Sequence, residues 1–271
     1  MTNEQPITRR AALAALGVVA TPLLASCGLV AEDTTPAAHP GPAGPPSGGP
    51  PSSVVASRPA APKPQPTFVS DFKIPPIQDG MVPVITRVTT KQPVVFLTID
   101  DGLAKSPREL QLLDQYGYPA TLFLTKSAMG ENPGFFKAFQ KRGDHIQDHT
   151  ISHNTSMVNA SYEYQLGEIV GMRDYITAEY GVAPTLFRPP GGFYSNAMRR
   201  AVAAAGLKAI IHWECKANAG HMDFQVGNAL RPGDICLMHF RKEFAADLAA
   251  FHAAQRASGL TVVRLEDFIG A

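Results

Sequence analysis

Short apolar runs alternate with helical patterns along most of this 271-residue chain, and this alternation limits the fold more than any other feature. The run "VVFLTI" at 94–99 is apolar throughout, as expected for a strand covered on both faces. "SPRELQLLDQYG" at 106–117 combines Ser-Pro, an apolar stripe and a closing Gly, which are helix start and stop signals. Repeated β–α units predict a parallel sheet or barrel. The predicted strands are 94–99, 120–125, 184–187, 208–213, 234–239 and 260–264, and the predicted helices are 106–117, 133–142, 162–180, 196–205 and 243–257.

The amino-terminal segment carries the features of an export signal. Arg9 and Arg10 precede an apolar stretch at 11–24, and "LASC" follows, ending at Cys27. A basic start, a short apolar core and small residues before a cleavage point are typical of exported proteins, and the arginine pair favours the twin-arginine route. The stretch is shorter than the about 20 residues that a membrane-spanning helix needs. "LASC" resembles the lipobox of bacterial lipoproteins, which implies that Cys27 receives lipid; an ordinary signal with a chance cysteine is the alternative.

The composition changes after the signal. Residues 31–66 are dominated by Pro, Gly, Ala and Ser, so we expect a disordered tether. We therefore predict an export signal at 1–26, a linker at 27–66 that begins with the lipidated cysteine, and one folded domain at 67–271. The formal net charge of +1 gives no basic field that would predict a nucleic-acid partner, and nothing in the sequence predicts a protein partner.

Two adjacent carboxylates follow the first long apolar run. "FLTIDDG" at 96–102 places Asp100 and Asp101 where the predicted strand ends. In a parallel barrel the reactive groups lie at the carboxyl ends of the strands. A metal ion or a proton transfer would explain two like charges at this position, and a surface turn is the alternative.

Two histidines supply further candidate ligands. His149 and His153 in "DHTISH" are four residues apart, and on a helical turn this spacing would place both imidazoles on one face. Such a pair also occurs by chance on protein surfaces. With one carboxylate from a strand end, two imidazoles leave open positions on a metal for water and substrate.

Two more segments place polar residues at predicted strand ends. In "FRPPGG" at 187–192, Arg188 ends a strand, the prolines restrict the turn, and the glycines allow close backbone approach to a ligand. "GDICLMHF" at 233–240 is an apolar strand that ends at His239. An ordinary Pro-Gly loop and a core or surface histidine are the respective alternatives.

Taken in order, "LTIDDG", "HTISH", "RPPGG" and "LMH" resemble the motifs of the polysaccharide deacetylases, also called the NodB-homology group or carbohydrate esterase family 4. The resemblance extends over about 82–268. It implies a distorted (β/α) barrel with fewer than eight complete repeats. It also implies removal of N- or O-acetyl groups from sugar polymers by a divalent metal, which is usually zinc, with cobalt and manganese as alternatives.

The resemblance also assigns roles to residues. Asp101, His149 and His153 would bind the metal, Asp100 would be the general base, and Arg188 would pair with that base. The remaining roles fall to residues at other strand ends: the backbone N–H of Gly191 would face the oxyanion, Leu237 would lie beside the acetyl methyl group, Trp213 would border the substrate, and His239 would protonate the leaving amine.

Several positions depart from the family pattern. Lys216 stands where the family has an aspartate that tunes the catalytic histidine, so we expect Lys216 to lower the pKa of His239. Glu214 and Asp223 are the acids that would replace the missing aspartate. The family also commonly has Asp in place of Phe240 and Asn in place of Asp148.

The leading hypothesis is a metal-dependent deacetylase of an extracytoplasmic glycan, anchored to the membrane by lipid at Cys27. Peptidoglycan, an exopolysaccharide and a chitin-like oligosaccharide all fit the motifs, and an O-acetyl esterase is a variant of the same reading. The missing aspartate that would tune His239 motivates a second hypothesis, a catalytically weak carbohydrate-binding lipoprotein on the same barrel. Cys215 and Cys236 either form a disulfide in an oxidising exterior or stay reduced.

Overall fold

The computed structural model of the protein describes residues 68–130 and 132–271. The predicted export signal, the linker and the lipidated Cys27 lie outside those residues and remain predictions. In the described part of the chain, no helix combines the length and apolar character needed to cross a membrane.

A single sheet organises the described residues. Its ten strands are β1 Val84–Ile85, β2 Val94–Asp101, β3 Thr121–Leu124, β4 His145–Asp148, β5 Leu186–Phe187, β6 Ala209–Ile211, β7 Cys215–Asn218, β8 His221–Phe224, β9 Ile235–His239 and β10 Thr261–Val262. The order along the sheet is β1-β6-β5-β4-β3-β2-β9-β7-β8, and β10 pairs with the start of β2. The pairs are parallel except for the β7–β8 hairpin. The sheet is a half-barrel, and parallel pairing brings the carboxyl ends of most strands to one edge.

Seven α-helices cover the sheet among the described residues: α1 Pro107–Tyr116, α2 Lys126–Met129, α3 Lys137–Arg142, α4 Tyr162–Tyr180, α5 Asn196–Ala204, α6 Phe244–Ser258 and α7 Leu265–Ile269. Local sequence explains their ends. Ser106 and Glu109 form a capping box at the start of α1, and Gly117 ends it in the left-handed conformation at φ 67°. Three short 3₁₀ turns occupy Pro133–Phe136, Met157–Asn159 and Pro190–Gly192.

The central strand β2 is buried on both of its faces, as its uninterrupted apolar run predicted. Val95, Leu97 and Ile99 pack in one core cluster with side chains from α1 and α6, whereas Val94 and Phe96 belong to a second cluster with α7. Successive residues of a strand face opposite sides. The second face therefore continues through Thr98 to Asp100, which places the first carboxylate of the pair inside the half-barrel.

Several elements differ from the sequence predictions. Strand β4 and the hairpin β7–β8 were not predicted, because each carries too many polar residues to show an apolar run. The predicted strands 184–187, 208–213 and 260–264 shorten to β5, β6 and β10. The predicted helix 133–142 divides into a 3₁₀ turn and α3.

The two cysteines of the described residues are opposite each other on adjacent parallel strands. Cys215 of β7 is the register partner of Cys236 of β9, and both are buried free thiols. A hydrogen bond with Cys236 and burial raise the pKa of the Cys215 thiol, so both side chains act as small apolar residues in this structure.

Candidate active site

The fully buried Arg188 follows β5 and organises the interior of the half-barrel. Its Nη1 donates to Asp100 Oδ1 at 2.6 Å and to Thr98 Oγ1 at 2.8 Å. Its Nε and Nη2 donate to the backbone oxygens of Ile211 and His212 at 3.2 and 3.1 Å. A buried charge is tolerated when its hydrogen-bonding groups find partners. The structure thus joins Asp100 and Arg188, and it adds Thr98 as a partner that the sequence motifs do not indicate.

Three predicted ligands converge at the carboxyl edge of the sheet. The ligand atoms of Asp101, His149 and His153 all lie within 4.8 Å of one another. Asp101 Oδ1 is 3.5 Å from His149 Nε2 and 3.2 Å from His153 Nε2, yet this buried oxygen accepts no hydrogen bond from the described residues. A carboxylate oxygen buried without a donor is costly unless a cation compensates it. Two imidazoles and one carboxylate are a donor set that suits zinc and leaves positions for water.

A second interaction prepares His149 for metal binding. Its Nδ1 lies 2.7 Å from the backbone oxygen of Arg188. A carbonyl oxygen only accepts, so Nδ1 carries a proton, and in the neutral imidazole Nε2 keeps its lone pair. The lone pair therefore faces Asp101, and a backbone partner of this kind fixes the orientation of a metal-binding imidazole.

The loop after β4 corrects the expected helical turn. Residues 149–153 form no helix, and Thr150 and His153 adopt left-handed backbone at φ 73° and 57°. Asp101 also has a positive φ, at 73°. Non-glycine residues avoid this region at a cost of roughly 1–2 kcal/mol each. At Asp101 the unusual φ interrupts strand alternation, which explains how both adjacent carboxylates lie beside His149, at 3.7 Å for Asp100 and 3.5 Å for Asp101.

Charges at the site shift the pKa values of the candidate ligands. Burial raises the pKa of Asp101, but the nearby imidazoles of His149, His239 and His153 outweigh burial and hold that pKa below the ordinary value. Burial lowers the pKa of His149, but Asp100 and Asp101 raise it above the ordinary value. Burial and then His149 lower the pKa of His153. The carboxylate and one imidazole thus favour the forms that bind a cation.

His239 ends β9 directly opposite Asp100 in the register of the two strands. Its buried Nδ1 has no hydrogen-bond partner among the described residues. Burial first, and then Arg241 and His149, lower its pKa. The imidazole therefore lies at the predicted edge, but the acid that would orient it is absent.

The pKa of His239 is lowered, as expected, but burial and Arg241 rather than Lys216 account for the shift. Lys216 Nζ pairs with Asp223 Oδ2 at 3.4 Å across the β7–β8 hairpin, and its side chain is 44% exposed. The cation that lowers the pKa of His239 is Arg241, which Asp247 holds through Nη2 at 3.0 Å.

The two acids considered as replacements have other partners. Asp223 pairs with Lys216, and Glu214 pairs with Arg231 at 3.1 Å. No hydrogen bond joins either acid to His239 within 68–130 and 132–271. Asp148 is fully buried beside His149, and its Oδ1 accepts from the backbone N–H of Thr150 at 2.9 Å.

The residues predicted to contact the substrate lie on neighbouring elements of the same edge. Gly191 and Gly192 follow β5 with φ 65° and 77°, and a Cβ on Gly192 would lie 2.6 Å from Trp213. Leu237 is buried on β9, on the same strand face as His239 two residues later. His212, which no sequence motif indicated, stacks on Trp213 with ring centroids 4.5 Å apart, and its Nε2 lies 2.7 Å from the backbone oxygen of Gly192.

Known proteins are similar to this chain in sequence and in fold. A polysaccharide deacetylase family model matches residues 87–210. An uncharacterised protein of Streptomyces coelicolor is 34% identical over 205 residues, which cover 72% of this chain and 82% of the relative. The chain belongs to the polysaccharide deacetylase family. A second member, the peptidoglycan-N-acetylglucosamine deacetylase of Bacillus cereus, is 29% identical over 166 residues, which cover 58% of this chain and 76% of that protein.

A solved structure confirms the predicted distorted barrel. The family 4 carbohydrate esterase pseudoenzyme of Bacillus anthracis superposes with a TM-score of 0.60 at 20% identity, over 68% of each chain. The polysaccharide deacetylase fold thus explains the half-barrel and its parallel strands. The four motifs that suggested the family lie at the carboxyl ends of β2, β4, β5 and β9.

Proposed function

We propose that this protein is a metal-dependent hydrolase that removes acetyl groups from an extracytoplasmic glycan. The observation that carries the proposal is the convergence of Asp101, His149 and His153 within 4.8 Å, beside an aspartate paired with a buried arginine. Membership of the polysaccharide deacetylase family supports the reaction class. The name of the Bacillus cereus relative supports an N-acetylglucosamine of peptidoglycan as the substrate.

The chain supplies a proton acceptor, Asp100, and an arginine that orients it. Asp101, His149 and His153 would hold a divalent ion, which would supply the Lewis acidity that polarises an acetyl carbonyl and activates water. Zinc fits two imidazoles and a carboxylate, and cobalt and manganese are alternatives. Asp100 accepts the proton of the attacking water as general base. Arg188 orients that carboxylate through the 2.6 Å hydrogen bond.

Other residues bind the acetyl group and complete the proton transfer. The backbone N–H of Gly191 donates to the developing oxyanion. Leu237 provides an apolar surface for the acetyl methyl group, and Trp213 borders the sugar. His239 donates a proton to the departing amine, so that the proton taken by Asp100 is matched by one given to the leaving group.

We also propose that the protein acts outside the cytoplasm, tethered to the membrane. Residues 1–26 would direct export by the twin-arginine route, Cys27 would carry lipid, and residues 27–66 would connect it to the catalytic domain at 67–271. A lipid tether keeps the domain near the cell wall, which favours peptidoglycan over a distant polymer. Labelled lipid should appear in the wild-type protein and disappear in Cys27→Ala; equal labelling would contradict the tether.

A second candidate function is a weakly catalytic glycan-binding protein. The Nδ1 of His239, which has no hydrogen-bond partner among the described residues, favours it, because an unoriented imidazole is a poor proton donor. The similarity of the fold to a Bacillus anthracis protein described as a pseudoenzyme shows that this barrel also occurs without the activity.

Acetate release separates the two candidates. Purified peptidoglycan and N-acetylated chito-oligosaccharides are incubated with the protein, with and without a chelator, alongside His153→Ala. We expect release that the chelator abolishes, that added zinc restores and that His153→Ala lacks. An acetylated-xylan ester tested in parallel decides between amide and ester substrates. Glycan binding without acetate release from any substrate would favour the second candidate.

A further inference from the structure

Two aromatic side chains next to Gly192 are unusually exposed. Phe193 is 59% exposed and Tyr194 is 44% exposed, and both belong to the loop between β5 and α5 at the carboxyl edge of the sheet. Exposed aromatic surface is unfavourable in water, and where it groups together it commonly marks an interaction site. These side chains have no role in the reaction steps derived above.

The ring of Phe193 folds back over the backbone of Gly191. Its Cδ2 and Cε2 atoms are 3.1 Å from the position that a Cβ on residue 191 would occupy. A side chain at position 191 would therefore displace the ring. Glycine at this position leaves room for the ring beside the backbone amide that is proposed to bind the oxyanion.

The same loop is supported from its other side. Tyr194 contacts His212 with ring centroids 5.9 Å apart, and His212 stacks on Trp213. His212 also contacts the backbone oxygen of Gly192 at 2.7 Å. A Cβ on Gly192 would lie 2.8 Å from His212 Nε2. The loop is thus packed tightly against the imidazole–indole stack, which gives the exposed Phe193 ring a defined position.

We propose that Phe193 is the main contact of a glycan subsite, with Tyr194 at its border, and that its ring packs against the apolar C–H face of a pyranose ring. The proposal rests on the proposed function and adds a determinant of substrate binding to it. A pyranose presents C–H groups on its faces and hydroxyls around its rim, so an aromatic ring covers a face and leaves the hydroxyls in water. Aromatic side chains supply such area with few rotatable bonds. Contact beside Gly191 would align the sugar so that its acetyl carbonyl reaches the amide.

The first test compares kinetics on N-acetylated chitotetraose. Phe193→Ala should raise KM about tenfold, the size expected for truncating an aromatic contact, with a smaller change in kcat. Phe193→Tyr should restore KM to near the wild-type value, because it keeps the ring. Val182→Ala is the matched control, since it removes a side chain of similar exposure, 63%, from the loop before the amino end of β5. An unchanged KM in Phe193→Ala would overturn the proposal.

The second test examines the contact between the ring and Gly191. Gly191→Ala places a Cβ against the Phe193 ring, and it also strains a backbone with φ 65°. The strain is common to both backgrounds, whereas displacement of the ring requires Phe193. We therefore expect Gly191→Ala to raise KM by a larger factor in the wild type than in Phe193→Ala. Equal factors would contradict the ring's role.

Binding measurements separate failure of the subsite from failure of the function. Calorimetric titration with chitotetraose should show about tenfold weaker binding by Phe193→Ala than by the wild type. Acetate release with an unchanged KM in the variant would leave the proposed function standing and overturn the subsite. If the wild type binds chitotetraose but releases no acetate, and the variant binds it more weakly, the subsite would be supported and the deacetylase overturned. A wild type that neither binds nor releases acetate would overturn both.

Discussion

Buried carboxylates at two places in the half-barrel have opposite environments. Glu266 of α7 accepts hydrogen bonds from Thr121 Oγ1 at 2.7 Å and Gln147 Nε2 at 2.9 Å. At the carboxyl edge, by contrast, Asp101 Oδ1 and Asp148 Oδ2 are buried without a hydrogen-bond donor from the described residues. A group buried for stability finds its partners within the chain.

This difference indicates that the carboxyl edge of the sheet is arranged for chemistry at some cost in stability. Positive φ values at Asp101, Thr150 and His153 accompany the unpartnered oxygens at the carboxyl edge. Strain and unmet polar groups are tolerated at functional sites because the surrounding core stabilises the fold. Substitutions at the carboxyl edge should therefore reduce activity more than stability, and those near Glu266 should do the reverse.

Loss of a metal ligand should have the largest effect. Asp101→Ala and His153→Ala should each lose the bound divalent ion and reduce acetate release by about 10³-fold or more, because the ion stabilises transition-state charge by several kcal/mol. Elemental analysis and an acetate assay measure both. The metal-free variants should unfold at no lower denaturant concentration than the metal-free wild type. Undiminished metal content in either variant would refute the ligand assignment.

Removal of the proton acceptor Asp100 should have the second-largest effect on activity. Asp100→Asn keeps the shape of the side chain, and it should lower kcat about 10²–10⁴-fold while the metal content stays the same. Asp223→Asn, an exposed carboxylate on β8, is the matched control and should retain activity. Full turnover by Asp100→Asn on a glycan would show that another group is the base.

Glu266 should affect stability rather than activity. Burial, partly offset by the hydrogen bonds with Thr121 and Gln147, raises the pKa of Glu266 from 4.5 to about 7. A carboxyl whose folded pKa exceeds its unfolded pKa binds more protons in the folded state. The free energy of unfolding therefore falls as pH rises from about 4.5 to about 7, by about 3 kcal/mol in all.

Glu266→Gln should remove this part of the pH dependence. Urea unfolding at pH 5 and pH 8 measures the difference between wild type and variant, and the variant should gain relative stability at pH 8. Asp267→Asn, an exposed neighbour on the same helix, should leave the dependence as it is. A dependence of the same size in Glu266→Gln would remove this residue from the explanation.

The smallest effect concerns the charge near His239. Arg241 disfavours the imidazolium and lowers the pKa of His239. Arg241→Gln should raise that pKa and, because the acid must be protonated, move the alkaline limb of the pH–kcat profile to higher pH. Arg241→Lys keeps the charge and should move the limb little. Lys216→Ala, which removes a cation paired with Asp223, should leave the limb in place. A shift of the limb in this variant would show that Lys216 does affect the pKa of His239.

The sequence by itself determined the elements that depend on local signals. The Ser and Gly residues at the ends of α1 predicted this helix closely, because capping acts within one turn. The uninterrupted run before Asp100 predicted a strand buried on both faces. Together with parallel β–α units, it also predicted that Asp100, Asp101, Arg188 and His239 would meet at one edge.

Only the tertiary structure decided which polar groups meet across that edge. The ligand loop uses left-handed backbone at Thr150 and His153, where the spacing suggested a helical turn, because contacts from other strands outweigh local preference. Lys216 pairs with Asp223 because the two residues are opposite each other in the β7–β8 hairpin, and this polar hairpin gives no apolar signal in the sequence. The contacts of Gly192 and Tyr194 with His212 join residues from two separate loops, whose proximity arises from packing rather than from spacing along the chain.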